Sequence, residues 1–173
     1  MKGTYGYLYH ILGCTCFAII LLFPHASSAA TCEKSIATAV SVQGSVDVQR
    51  AGESQFQPVR LNDTFCPGDT VRVNKRSRAE LALANSVLRL NANTTLTLQG
   101  VKKKETSLVD LVKGAAYFFS HTPRSIEVVT PTANAAVRGT EFFIRVAEGK
   151  TFLTIFEGEV VASNPAEIGR AHV

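Results

Sequence analysis

The sequence predicts an all-β fold, an antiparallel sandwich or roll of short strands, following an N-terminal export segment. Three observations predict it. Apolar and polar residues alternate with period two along almost all of the chain after residue 30, and a sustained helical period is nearly absent. Gly, Pro or Asn interrupts the alternation every eight to twelve residues or so, the spacing of a sandwich, roll or barrel. The strand segments are rich in β-branched side chains, which suit a pleated, half-buried surface. With 173 residues, 46% hydrophobic and 18% charged, the chain has room for one domain and a short appendage. It is too apolar for a disordered chain, and 12 Gly and 6 Pro exclude collagen-like and low-complexity classes.

Residues 1–30 read as a secretory signal peptide. Lys2 is the only charged side chain before Glu33, Ile11 to Phe23 form an uncharged apolar core, and Pro24 breaks it. Ser28 and Ala30 supply small residues at the −3 and −1 positions, which places cleavage after Ala30. The rival, an uncleaved membrane anchor, would need about twenty apolar residues. This core is shorter and ends in a cleavage-like run. A lipoprotein reading of Cys32 fits less well, because Ala29-Ala30-Thr31 is a poor match to the triplet such a site requires. Loss of residues 1–30 leaves 143 residues with Lys+Arg 17 and Asp+Glu 14, a net +3, and no second stretch long enough to span a membrane. The mature form is therefore expected to be periplasmic or secreted.

The strands follow in order. Val40-x-Val42 and Val46-x-Val48 flank Gly44, and Val71-x-Val73 follows the turn Pro67-Gly68-Asp69. Leu81-x-Leu83 leads through Asn85-Ser86 to Leu88-x-Leu90, and Asn91-Ala92-Asn93 turns into Leu96-x-Leu98. Leu108 to Val112 reads as a strand, with one helical turn as the alternative. Ile126-x-Val128 ends at Pro131, Phe142-x-Ile144-x-Val146 runs to Glu148-Gly149, and Leu153-x-Ile155 runs to Glu157-Gly158 before Val160-Val161. Alternation leaves Arg72, Glu80, Arg89 and Arg145 on the outer face. Gly44, Gly114 and Gly158 each precede an apolar alternation and read as hairpin punctuation. These strands make residues 31–163 one domain. Residues 164–173, from Asn164-Pro165 on, show no strand pattern; they read as an unstructured or non-native tail, or as the point where a longer protein has been cut.

Cys14 and Cys16 leave with the signal, so Cys32 and Cys66 remain in an oxidising compartment with one intramolecular pairing open to them. The alternative is two free thiols.

The search for chemistry is mostly negative. After cleavage only His121 and His172 remain; His121, beside Thr122-Pro123, reads as a solvated loop residue, and no serine elbow or Ser-x-x-Lys is present. Two distant Cys and one His make no metal site, and no Gly-rich loop opens a helix. Glu141, Glu157 and Glu159 could supply a carboxylate pair, but outward-facing acids on strands are common. The run Lys102-Lys103-Lys104 lacks the interleaved aromatics of a nucleic-acid site and reads as a solvated hairpin tip that discourages edge pairing. An anionic envelope surface is its other conceivable partner. Arg138-Gly139-Thr140-Glu141 is the most distinctive cluster. Gly139 suggests a bulge or close backbone approach, and the planar fork of Arg138 suits a structural staple better than a ligand contact. No catalytic residue, cofactor or metal is expected.

Several segments in order carry a family resemblance: Val46-Asp-Val48-Gln-Arg50, Pro67-Gly68-Asp69-Thr-Val71-Arg-Val73, and Ala79-Glu-Leu81-Ala-Leu83 through Leu88-Arg-Leu90. Leu111-Val-Lys-Gly114 and Val129-Thr-Pro131 through Val137-Arg138-Gly139-Thr140-Glu-Phe142 continue it, and Glu157-Gly158-Glu-Val160 closes it. Over about residues 40 to 161 the chain resembles the FecR domain family. The resemblance implies an extracytoplasmic all-β domain of the bacterial envelope, acting through protein contacts and without catalytic residues. It also implies that Pro131, Arg138, Gly139, Thr140 and Gly158 are structural motif positions. The family is named for a sensor that relays occupancy of an outer-membrane iron–siderophore receptor to a sigma factor. That regulator carries a cytoplasmic anti-sigma segment and a transmembrane helix where a signal peptide is expected here, and its receptor-contacting C-terminal part is not evident. The expected function is therefore an exported protein-interaction or sensing module with an envelope protein as partner. The alternative is a peptidoglycan- or carbohydrate-binding module, or the N-terminal part of a larger surface protein.

Overall fold

The computed structural model describes residues 32, 34–84, 86–102, 106–164 and 168–172. The expected signal peptide lies outside the described residues, as do Lys103 and Lys104 of the basic run. Among the described residues there are twelve strands and no helix. They are β1 (Ala37–Gln43), β2 (Val46–Gln49), β3 (Phe56–Pro58), β4 (Thr64–Phe65), β5 (Thr70–Val73), β6 (Arg78–Leu83), β7 (Ser86–Leu90) and β8 (Thr94–Lys102). Three long strands follow, β9 (Thr106–Val129), β10 (Asn134–Ala147) and β11 (Lys150–Ser163), and then β12 (Ile168–His172).

All pairings are antiparallel and join the strands into one sheet, in the order β3-β2-β5-β8-β9-β7-β6-β1-β4, with β10, β11 and β12 added beside β9. Alternation does the work expected of it. Val71 and Val73, Ala79 and Leu81, Leu88 and Leu90, and Leu96 and Leu98 all point inward and are buried. They join Phe65, Leu111, Ile126, Phe142 and Ile144 in one apolar cluster drawn from both ends of the sheet. A single sheet can bury one face against itself only by curling. The architecture is therefore a half-barrel, the roll of the two forms the sequence left open, not a sandwich of two sheets.

Three expectations are corrected. The strands are short only up to β8. The alternations around Leu108, Tyr117 and Ile126 belong to one 24-residue strand, β9. That strand passes from β8 to β10 at Gly114, where Thr94 Oγ1 donates to the Ala115 carbonyl and accepts from the Ala115 amide, both at 3.0 Å. None of the three glycines marks a hairpin: Gly44 lies in the connection between β1 and β2, which do not pair with each other, and Gly114 and Gly158 lie inside long strands. The segment read as an unstructured tail contains β12, which pairs with Glu159–Ser163 of β11. Backbone pairing needs no side-chain alternation, which is why the pattern missed it.

Cys32 and Cys66 are joined by a disulfide, with Cα atoms 5.7 Å apart. It ties the segment before β1 to the β4–β5 turn across a sequence separation of 34. Reduction is expected to lower stability by about 3–4 kcal/mol through release of loop-closure entropy in the unfolded chain. Urea unfolding with and without reductant checks this, a coincident midpoint being the contrary result.

Candidate interaction surface

The motif Arg138-Gly139-Thr140-Glu141 lies where the three long strands bend together. Opposite the single residue Thr140, β9 carries four residues, Ser120 to Pro123, between the partners of Glu141 and Gly139. On the other side, β11 has an extra residue, Phe156, between the partners of Glu141 and Phe142. Bulges aligned across three strands act as one kink. It folds the far half of the β9–β10 hairpin over the near half, so that Thr130 and Thr132 at its tip each share a 2.7 Å hydrogen bond with Thr151 at the start of β11. Pro131 is exposed in that tip, where Thr130 donates from its backbone amide and its hydroxyl to the Ala133 carbonyl.

Gly139 and Gly158 face each other at the kink. A Cβ on Gly139 would lie 2.3 Å from the Glu157 carbonyl oxygen, and one on Gly158 (φ +129°) would lie 2.5 Å from Gly139 Cα. Neither position has room for a side chain. Thr140 is buried and its hydroxyl donates to Glu157 at 2.6 Å. Arg138 is exposed on β10 between Ser125 and Glu159, and among the described residues no hydrogen bond or ion pair to its guanidinium is found. The backbone approach of the two glycines and the Thr140–Glu157 bond hold this bend. His121 lies exposed in the bulge of β9, its ring edge-on to Phe119 at 5.0 Å.

The kink also sets the outward face of β7, β9, β10 and β11. Arg89, Tyr117, Phe143 and Thr154 stand in one cross-strand row, and Val87, Phe119, Glu141 and Glu157 in the next. Arg89 donates to Glu80 at 2.7 Å, and its guanidinium lies 5.9 Å from the Tyr117 ring centre. Tyr117 donates its hydroxyl to Glu141 and packs against Phe156 with ring centres 6.2 Å apart. The bond to the Glu141 carboxylate, followed by burial, raises the Tyr117 pKa above the ordinary tyrosine value. Tyr117 therefore keeps its proton at neutral pH and the bond persists. At the edge of the face, Arg145 stacks over Phe152 at 4.6 Å from its centre.

The result is a shallow surface on which aromatic rings alternate with paired charges. An open depression of about 290 Å3 between Glu80, Val87, Arg89, Tyr117 and Phe119 lies at its β7 side. Glu141 and Glu157, considered from sequence as a carboxylate pair, are directly opposed here, and each accepts a hydroxyl hydrogen bond. Glu159 sits on the far side of the kink, opposite Arg138. Among the described residues no cluster of His, Cys, Asp or Glu could hold a metal ion. The aromatic face was not singled out from sequence, although Tyr117-x-Phe119 and Phe152-x-x-x-Phe156 were legible. Alternation alone does not say which aromatic residues face the core, and Phe118 and Phe142 do, their rings stacked at 5.0 Å.

A family model described as FecR protein matches residues 69–161, more than half of the chain. The chain belongs to the FecR family. The FecR match begins at the buried Asp69, takes in the whole kink and the aromatic face, and ends in β11. Two solved structures of a candidate anti-sigma factor from Parabacteroides distasonis share the fold, with TM-scores of 0.52 and 0.51 and 21% identity. Each alignment covers 60% of this FecR chain and 50% of the solved one, so the chain spans half the length of those proteins. No protein of curated function matches it.

Proposed function

We propose that this FecR chain is an exported, non-catalytic sensing module of the bacterial envelope that recognises a partner protein through the outer face of β7, β9, β10 and β11. The observation that carries the reading is that face: Tyr117, Phe119, Phe143 and Phe156 beside Arg89, Glu80 and Glu141, on the part of the chain that defines the family. Aromatic and Arg side chains on a rigid sheet are the usual anchors of protein interfaces. Family membership and the shared fold of a candidate anti-sigma factor support a role in signalling. The Cys32–Cys66 disulfide supports an oxidising compartment. Among the described residues no helix is long and apolar enough to cross a membrane.

Envelope extracts should yield one defined protein bound to the immobilised chain. Arg89→Glu with Tyr117→Ala should weaken that binding by on the order of thirtyfold, the loss of about 2 kcal/mol typical of anchor residues. Equal capture by the variant would refute the assignment of this face. Exposed rings can also stack on sugars, which favours a second reading, peptidoglycan or another envelope carbohydrate as ligand. Co-sedimentation with purified peptidoglycan that survives moderate salt, together with no protein captured, would decide for it.

A further inference from the structure

One end of the roll gathers cations. The β5–β6 turn brings Lys75, Arg76 and Arg78 together within four residues, all exposed and with no acid among them. Asn74 pins the start of this turn. Its backbone amide donates to the Ser45 carbonyl at 3.1 Å, and its side-chain amide donates to Ser45 Oγ at 2.9 Å and to Asp47 Oδ2 at 2.8 Å. Beside the turn, Asp47, Arg72, Thr95 and Lys113 stand in one cross-strand row on the outward face of β2, β5, β8 and β9. Turn and row enclose an open depression of about 420 Å3, lined by Arg72, Asn74, Lys75, Asn93, Thr95 and Lys113.

The acids near this depression are already engaged. Asp47 accepts from Arg72 at 2.9 Å as well as from Asn74, and Asp110, in the neighbouring row, accepts from Gln99. The ammonium groups of Lys75 and Lys113, the Asn93 side-chain amide and the Thr95 hydroxyl have no hydrogen-bond or ion-pair partner among the described residues. Two uncommitted cations and two uncommitted neutral donors thus line one hollow. We infer that the depression binds a phosphate group. The choice of anion follows from which cations are free. A planar carboxylate is best gripped by the fork of an Arg. Here the fork of Arg72 is committed to Asp47, and its guanidinium lies 3.7 Å from the centre of the Phe56 ring. Lysine ammonium groups act as point charges, which suit the tetrahedral oxygens of a phosphate carrying nearly two negative charges at neutral pH. The volume leaves room for the group that carries the phosphate. Inorganic phosphate, a phosphorylated polyol and a phospholipid headgroup share this chemistry.

Calorimetric titration of the mature full chain with inorganic phosphate, with glycerol phosphate and with phosphatidylglycerol vesicles tests the inference and separates the sources. At least one probe should bind saturably, and more weakly as salt rises. Lys75→Gln and Lys113→Gln should each weaken that binding about tenfold, and Thr95→Val, which changes no charge, about threefold. Both lysines are exposed, so their variants should keep the wild-type thermal midpoint. Lys150, an exposed lysine on β11 outside the depression, provides the control, and Lys150→Gln should leave binding unchanged. Equal weakening by Lys150→Gln would reduce the effect to net charge and overturn the inference. Failure of all three probes at millimolar concentration would also overturn it, as would lysine variants that bind like the wild type. Succinate bound as tightly as phosphate would overturn the choice of anion. The Arg89 and Tyr117 substitutions leave this depression untouched, so the phosphate site and the partner face fail independently.

Discussion

Asp69→Ala should lower the stability of the folded chain by about 3–5 kcal/mol, the loss typical when one member of a buried ion pair is removed. The Asp69 side chain is 1% exposed and accepts three hydrogen bonds, from Arg50 Nη1 at 2.8 Å and from the backbone amides of Ala51 and Cys66 at 2.9 Å. Arg50, only 12% exposed, also donates to the Thr64 carbonyl at 2.8 Å and lies over the Phe65 ring. One carboxylate thus joins the end of β2, the β4–β5 turn and the disulfide. Alanine would strand a guanidinium and two amides together. Asp69→Asn keeps the shape but gives up one acceptor oxygen and the charge, so an intermediate loss is expected. Urea midpoints of the three proteins at neutral pH, with the disulfide intact, provide the test. A change under about 1 kcal/mol for the Ala variant would show that Asp69 is not the hub described.

Gly158→Ala should be at least comparably disruptive, by about 3 kcal/mol or more, and the reason separates into two parts. Backbone strain contributes about 1–2 kcal/mol, because φ of +129° suits only glycine. The rest is collision: the new methyl would lie 2.5 Å from both the Arg138 carbonyl oxygen and Gly139 Cα, main-chain atoms that cannot swing aside. Gly149→Ala isolates the first part. Its φ is +68°, but no atom lies within 4 Å of an added Cβ, so about 1 kcal/mol is expected. Gly139→Ala isolates the second, since its Cβ meets the Glu157 carbonyl oxygen at 2.3 Å without a positive φ. Thermal melts of the three variants should therefore rank Gly149→Ala mildest and Gly158→Ala most severe. Equal, mild effects would mean that the strands at the kink separate easily, and the bend would lose its rationale.

The particular residues show which parts of this fold were legible beforehand. Leu81, Leu83, Leu88 and Leu90 announce their strands and their buried face, because period two is a local property of the backbone. The turn at Glu148-Gly149 is equally local: both residues have positive φ, as a tight hairpin requires. The Cys32–Cys66 pairing was legible by counting. Asp69 was read only as part of a turn, because its partner Arg50 lies 19 residues away and nothing local shows that the two will meet. Tyr117 was invisible as a site residue for the same reason, its bond partner Glu141 being 24 residues distant.

Alternation, turn residues and motif order by themselves determined that this chain is a β protein of the FecR type with one buried face. Only the tertiary structure decided that β9, β10 and β11 are long strands bent at one shared line and that the sheet closes as a half-barrel. The physical reason is that side-chain pattern is written residue by residue. Register, bulge alignment and edge pairing are relations between strands, settled only when distant segments compete for the same backbone hydrogen bonds.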